Sequence, residues 1–318
     1  MSTLTSPSTP VDEGAPRPGS RPRRRRTPLT TAKLTPWFFV LPALVLFGSL
    51  GLWPIIRTFY LSLTNTVGTR GDGDFIGFGN FVRLMGDPYF HEAFAHTILW
   101  IVFNLTVPVG LALFLALMLN RAIQSKVIKT LFFIPLALSA PAIAAIWTFI
   151  YQPDTGLIDI TLAGVGLEGL QQEWLGSEWV LLSLMIAGGW RETAFFMVIF
   201  LAGLTGIPHE LVEAAKIDGA NTFQVFRHVT LPSLRPATMI VMSSAFIGAL
   251  LTTDLVLAMT RGGPFGSSDV LGYRMYVETF FNGNFGYGAA MAVVITLIAA
   301  LFVVPYLLRM NRMQEEEN

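Results

Sequence analysis

Three ionisable residues stand inside long apolar stretches: Arg191 and Glu192 within residues 179–206, and Asp254 within residues 237–259. An isolated charge in hydrocarbon costs about 2.5–3.5 kcal/mol on insertion scales, so each must face protein or water and not lipid. Trp190, next to Arg191, adds an aromatic face. Two arrangements meet that requirement. Either the charges line a path across a membrane, or they are structural: a buried ion pair that fixes helix register, or Arg191 and Glu192 simply lying nearer a boundary than the apolar run suggests.

Other chemistry is excluded more simply. There are no cysteines, which removes disulfides, thiolate catalysis, iron–sulfur clusters and Cys-ligated zinc. His91, His96, His209 and His228 have no spacing suited to a metal, so no metal site is expected. The run Gly262, Gly263, Pro264, Phe265, Gly266, Ser267 is glycine-rich, but GxxxxGK[ST] occurs nowhere, so this chain is not expected to cradle ATP phosphates. Asn104, Leu105 and Thr106 match a glycosylation acceptor but lie inside an apolar run and are discounted. No paired catalytic constellation is present, and no enzyme activity is expected.

A second constellation lies between the last two of these features, in residues 207–236. It reads as two short helices. Pro208 suits a first turn, Leu211, Ala214 and Ala215 share one face, and Glu210, Glu213 and Lys216 the other. Gly219 breaks the helix in a left-handed cap. Asn221 or Thr222 then caps a second helix whose Phe223, Phe226 and Val229 form an apolar stripe beside Gln224, Arg227 and His228. Pro232 and Pro236 are expected to end it. Neither helix can span a bilayer, and such a pair suits docking to another protein or resting on lipid headgroups.

The elements that must position these residues follow from composition. Of 318 residues, 53% are hydrophobic and only 13% charged, against about 25% charged in soluble domains. Crossing about 30 Å of hydrocarbon takes roughly 20 apolar residues. Six stretches qualify, at about 37–60, 95–119, 131–151, 179–206, 237–259 and 287–308. Pro108, Pro135, Pro141 and Pro305 are expected to kink helices. The expectation is an all-α membrane protein with six transmembrane helices.

Charge asymmetry orients it. With the N-terminus inside, fifteen lysines and arginines fall on the inner side, and Arg57, Arg70, Arg83, Arg261 and Arg274 on the outer, as the positive-inside rule requires. Both termini are therefore expected to be cytoplasmic. Residues 1–35, with Arg21 and Arg23 to Arg26, read as a disordered basic tail that sets topology and binds no nucleic acid. Residues 36–310 form the membrane domain and 311–318 a second cytoplasmic tail. The segments 65–94 and 260–286 read as outer loops, either covering a pore mouth, receiving a partner or simply connecting spans.

Glu213, Ala214, Ala215, Asp218, Gly219, Ala220, Leu231 and Pro232 resemble the EAA loop of ABC importer permeases. Trp190, Arg191, Leu201 to Leu204, Asp254 to Val256, Gly262 to Pro264 and Gly286 to Ala290 are similar to the carbohydrate (maltose-type) branch, over roughly residues 35–310. The resemblance implies a cytoplasmic coupling-helix loop between spans 4 and 5, with Glu213, Ala214, Ala215, Asp218, Gly219, Arg227, Leu231 and Pro232 coupling to an ATPase. It implies a second homologous permease subunit, two cytoplasmic ABC ATPase subunits that hold ATP and Mg, an extracytoplasmic solute-binding protein and a sugar substrate, with no cofactor on this chain. Trp190, Arg191, Glu192 and Asp254 then become candidates to line the sugar path in the cell membrane. The alternative is an ion- or proton-coupled secondary transporter, in which Glu192 and Asp254 would titrate.

Overall fold

The computed structural model describes residues 39–68, 73–122 and 126–316. The basic segment 1–35 lies outside them. Among the described residues, all regular structure is helical apart from one isolated antiparallel bridge between Thr64 and Phe75. Contacts divide the chain between Pro54 and Ile55. Before that point the described residues are the opening part of α1 (Phe39–Ser62), whose most apolar window buries none of its residues.

From Ile55 onward the helices are α2 (Gly79–Met85), α3 (Pro88–Ala122), α4 (Lys126–Ala137), α5 (Ala140–Ile150), α6 (Leu157–Gly164), α7 (Val180–Thr205), α8 (His209–Ile217), α9 (Thr222–Ser233), α10 (Arg235–Leu250), α11 (Asp254–Met259), α12 (Leu271–Tyr276, continued by a π turn Val277–Phe281) and α13 (Phe285–Glu316). Of the described helices, four are long and apolar enough to cross a membrane: α1, α3, α7 and α13.

Six continuous spans are therefore not what forms. The third expected span is two helices, α4 and α5, because Pro141 cannot donate to the carbonyl of Ala137 and its ring clashes with it, so α4 stops at Ala137. Ser139 lies between them in extended conformation. The fifth breaks after Leu250 and resumes at Asp254. There the Thr252 hydroxyl donates to the Gly248 carbonyl at 2.9 Å, a local bond that competes with the helical ladder. The second span begins earlier than expected, at Pro88, and the sixth continues to Glu316 through Pro305.

Two buried clusters hold α3, α7 and α10 together. One, around Phe196, Phe200, Leu234 and Val241, includes Ala112, Ala116 and Ala245, all fully or almost fully buried. Small residues let helices approach closely where lipid supplies no hydrophobic drive between them. Gly203 on α7 is the tightest such point: a Cβ there would lie 2.9 Å from both the Ala237 Cβ and the Leu234 side chain. The other cluster joins Trp100, Leu184, Leu250, Leu255, Leu271, Tyr287 and Met291 toward the opposite end of the helices.

Candidate functional site

The break in the fifth span builds the ionic site. Asp254 opens α11, where its carboxylate accepts from the Leu255 amide at 2.9 Å. Arg191 on α7 reaches Glu192 at 3.4 Å and Asp254 at 4.0 Å. The three line one narrow crevice with Trp100, Asn104, Gly188, Gly248, Thr252 and Leu255. Glycine makes room for it: a Cβ on Gly188 would meet Leu255 and Trp100 at 3.3 and 3.4 Å, and one on Gly248 would lie 3.9 Å from Glu192. Asp254 is 61% exposed, so the crevice is open at that carboxylate and the pair is not a sealed core salt bridge.

Asn104 was missed by sequence reasoning as a site residue. It is buried, donates to the Ala245 carbonyl at 2.9 Å, and ties α3 to α10 beside the crevice. The readable signal was an amide within an apolar run, which needs a partner inside the protein.

Trp190 points elsewhere. It lines a separate apolar cavity of about 770 Å³ with Phe103, Pro108, Phe132, Trp147 and Met197, and meets Trp147 edge-on at 6.0 Å. Neighbouring residues on a helix are about 100° apart, so Trp190 and Arg191 serve different faces of α7. The structure brings Arg191, Glu192 and Asp254 together and leaves Trp190 out.

The loop after α7 forms the expected pair of helices, with an elbow defined bond by bond. The Ala220 amide donates to the Ala215 carbonyl and the Gly219 amide to the Lys216 carbonyl, at 2.9 and 3.0 Å, while Gly219 takes φ +83°. This is a Schellman close of α8. A capping box opens α9 at once: Gln224 and Asn221 exchange side-chain to backbone bonds of 2.8 and 2.9 Å. α9 then meets α10 at a bend of 68°.

Several details depart from the sequence reading. Pro208 is the N-cap and not a first-turn residue. Leu211 and Ala214 are exposed, and α8 turns Val212 and Ala215 inward instead. Phe223 is 66% exposed, while Val225 fills the buried position of α9. Pro232 sits within helical structure and Pro236 starts α10, because proline is tolerated in a first turn. Glu213, Asp218, Arg227 and Leu231 are exposed and Pro232 is partly buried. Leu211, Ile217 and Phe223 are left exposed on the helix pair, Ile217 to 86%.

At the other end of the bundle a charged network clamps the loops. Arg274 lies 3.6 Å from Asp269, 3.3 Å from Glu278 and over the ring of Tyr89. Asp269 is buried and its Oδ1 has no hydrogen-bond partner among the described residues. Burial pushes its carboxyl up to about 7, against the opposing pull of Arg274. The Tyr287 hydroxyl donates to Asp87 at 2.6 Å, under the Arg83 guanidinium.

The sequence pattern of the family "Binding-protein-dependent transport system inner membrane component" matches residues 108–312, from the middle of α3 through α13. The chain belongs to that family. Relatives within it include the alpha-glucoside transport system permease protein AglF of Rhizobium meliloti, 34% identical over 86% of this chain and 81% of that one. The lactose transport system permease protein LacF of Rhizobium radiobacter is also 34% identical, over 83% of this chain and 90% of that one. A solved bacterial alginate ABC transporter, in complex with alginate pentasaccharide-bound periplasmic protein, contains a chain of the same fold, with TM-score 0.77 and 21% identity over 89% of this chain and 96% of that one. As a member of this inner-membrane family, the chain is a transport component, and Arg191, Glu192, Asp254 and the helix pair all fall inside the matched region, while Trp100 and Asn104 precede it.

Proposed function

We propose that this chain is the membrane-spanning permease half of an ATP-driven importer that moves a sugar, a di- or oligosaccharide or a related solute, delivered by an extracytoplasmic binding protein. The observation that carries the reading is a short, bond-defined helix pair that leaves large apolar side chains exposed. Leu211, Ile217 and Phe223 are exposed on a connection too short to span a membrane, which suits seating in a protein groove. The permeases of alpha-glucoside and lactose systems among its relatives support the sugar class.

Six crossings follow when α4 with α5 and α10 with α11 each count as one broken span. An even number leaves both termini on the cytoplasmic side, where lysine and arginine concentrate. α8 and α9 then stand in the cytoplasm against a separate ATPase, which holds ATP and Mg. A second, related permease completes the path. Nucleotide binding draws the ATPase halves together and, through the elbow at Gly219, switches the path between two packings. Arg191, Glu192 and Asp254, with Thr252 beside them, offer charged and neutral hydrogen-bonding groups to sugar hydroxyls. Family membership sets aside the ion-coupled alternative.

Reconstitution into vesicles with the ATPase, the second permease and the binding protein tests this. ATP-dependent accumulation of a labelled disaccharide is the expected result. Accumulation that persists without the ATPase and collapses with a proton gradient would overturn it.

A further inference from the structure

Behind the helix pair lies a cleft of about 390 Å³, on the face of α8 that carries His209, Val212 and Lys216. It is bounded by the end of α3 at Leu117 and Asn120, the end of α7 at Leu204, and the inner faces of α8 and α9. Coupling through the elbow does not use it.

Its lining is one-sided. Asn120, His209, Lys216, Thr222 and Thr230 bring side-chain donors to the cleft, and no aspartate or glutamate lines it. None of these five side chains is hydrogen-bonded or ion-paired to another described residue. Thr230 is 6% exposed as a residue, with its hydroxyl left accessible at the cleft. The rest of the wall is apolar, from Leu204, Val212 and Val225. A lysine charge with no competing acid, beside an amide, an imidazole and two hydroxyls that can all donate, favours an anion carried on a small carbon body.

We propose that this cleft binds a phosphate group, borne by a soluble phosphate monoester or by a phospholipid headgroup. Lys216 supplies the point charge and Thr230, Asn120 and Thr222 the neutral donors. The cleft sits where spanning helices end, the level at which basic pockets meet lipid phosphates. Its occupant touches the ends of α3 and α7 and both short helices at once, and so braces the helix pair against the membrane core. Placing the cleft on the cytoplasmic side rests on the proposed function; the binding itself does not.

The experiment has two arms on the detergent-purified transporter and on its Lys216→Gln and Thr230→Val variants. Titration calorimetry with glycerol 3-phosphate and inorganic phosphate reads the soluble arm, and native mass spectrometry of retained phospholipid reads the other. Loss of the charge is expected to weaken binding about tenfold in one arm, the size of a charge-assisted hydrogen bond, with a smaller loss for Thr230→Val. A difference only in titration assigns a soluble ester, and one only in retained lipid assigns a headgroup. Equal binding by parent and both folded variants in both arms overturns the proposal. ATP-driven uptake is measured on the same parent preparation: intact uptake with no phosphate binding removes this site alone, whereas binding without ATP-driven uptake removes the importer reading and leaves the site.

Discussion

Arg191 on α7 and Asp254 at the start of α11 approach to 4.0 Å across the gap that interrupts the fifth span at Leu250. The gap is what makes the contact possible, since it turns Asp254 into the first residue of a new helix with its carboxylate open to solvent. A pair this exposed contributes little to stability, at most about 1 kcal/mol. Its presence within apolar sequence is what motivates the place in the path proposed for it.

Replacing Asp254 by Asn is therefore expected to leave the assembled complex and its melting temperature close to the parent, while sugar uptake falls at least about tenfold, the loss of one charged hydrogen bond to the solute. Size-exclusion profiles and vesicle uptake, run side by side, check this. Loss of assembly would instead make the pair structural.

Gly203→Val should destabilise the bundle. Its Cβ would come within 2.9 Å of Ala237 and Leu234, and overpacking of this kind costs about 1–3 kcal/mol. Thermal unfolding in detergent reads it. A variant that melts with the parent would show that α7 and α10 can separate freely.

At Gly219 the obstacle is conformational only, because a Cβ there would meet nothing within 4 Å but φ is +83°. A β-branched valine there opposes the left-handed cap by about 1–2 kcal/mol. The elbow should open, and ATP hydrolysis should continue with little uptake. Full-rate uptake by Gly219→Val would contradict the role given to the elbow.

The pH response should centre on Asp269. Its carboxyl titrates at 3.8 when free and at about 7 in the fold, so the folded state binds more protons between those values. The stability it contributes is complete below about pH 4 and is lost as pH rises through about 7. Asp269→Asn, neutral at every pH, should flatten that dependence and melt no lower than the parent at about pH 8. Melting curves across the range decide it, and an unchanged slope would place the titrating group elsewhere.

How much of this was legible in the sequence depends on whether a feature is set locally. The Gly219 elbow and the Asn221 cap were readable because cap chemistry is encoded within a few residues. α7 matched its expected bounds almost to the residue, since a long apolar run leaves little alternative even with Arg191 and Glu192 inside it. The breaks at Ser139 and Thr252 were not anticipated: an apolar run has the same hydropathy whether its helix is continuous or interrupted, and only Pro141 and the paired threonines hinted otherwise. Side-chain direction was the least accessible. Trp190 and Arg191 are neighbours in sequence, yet which face of α7 meets α10 is decided by packing around Gly203 and Ala237.

The close contact at Gly203 also has a mechanical meaning. It lies two residues from one end of α7, with about 35 Å of helix between it and Val180. A rigid rod held at such a fulcrum is a strongly unequal lever, in which a tilt of about 10° that barely displaces the short arm sweeps the far tip through roughly 6 Å. Amplification of that size needs no flexible hinge within the membrane, only a pivot too crowded to slip.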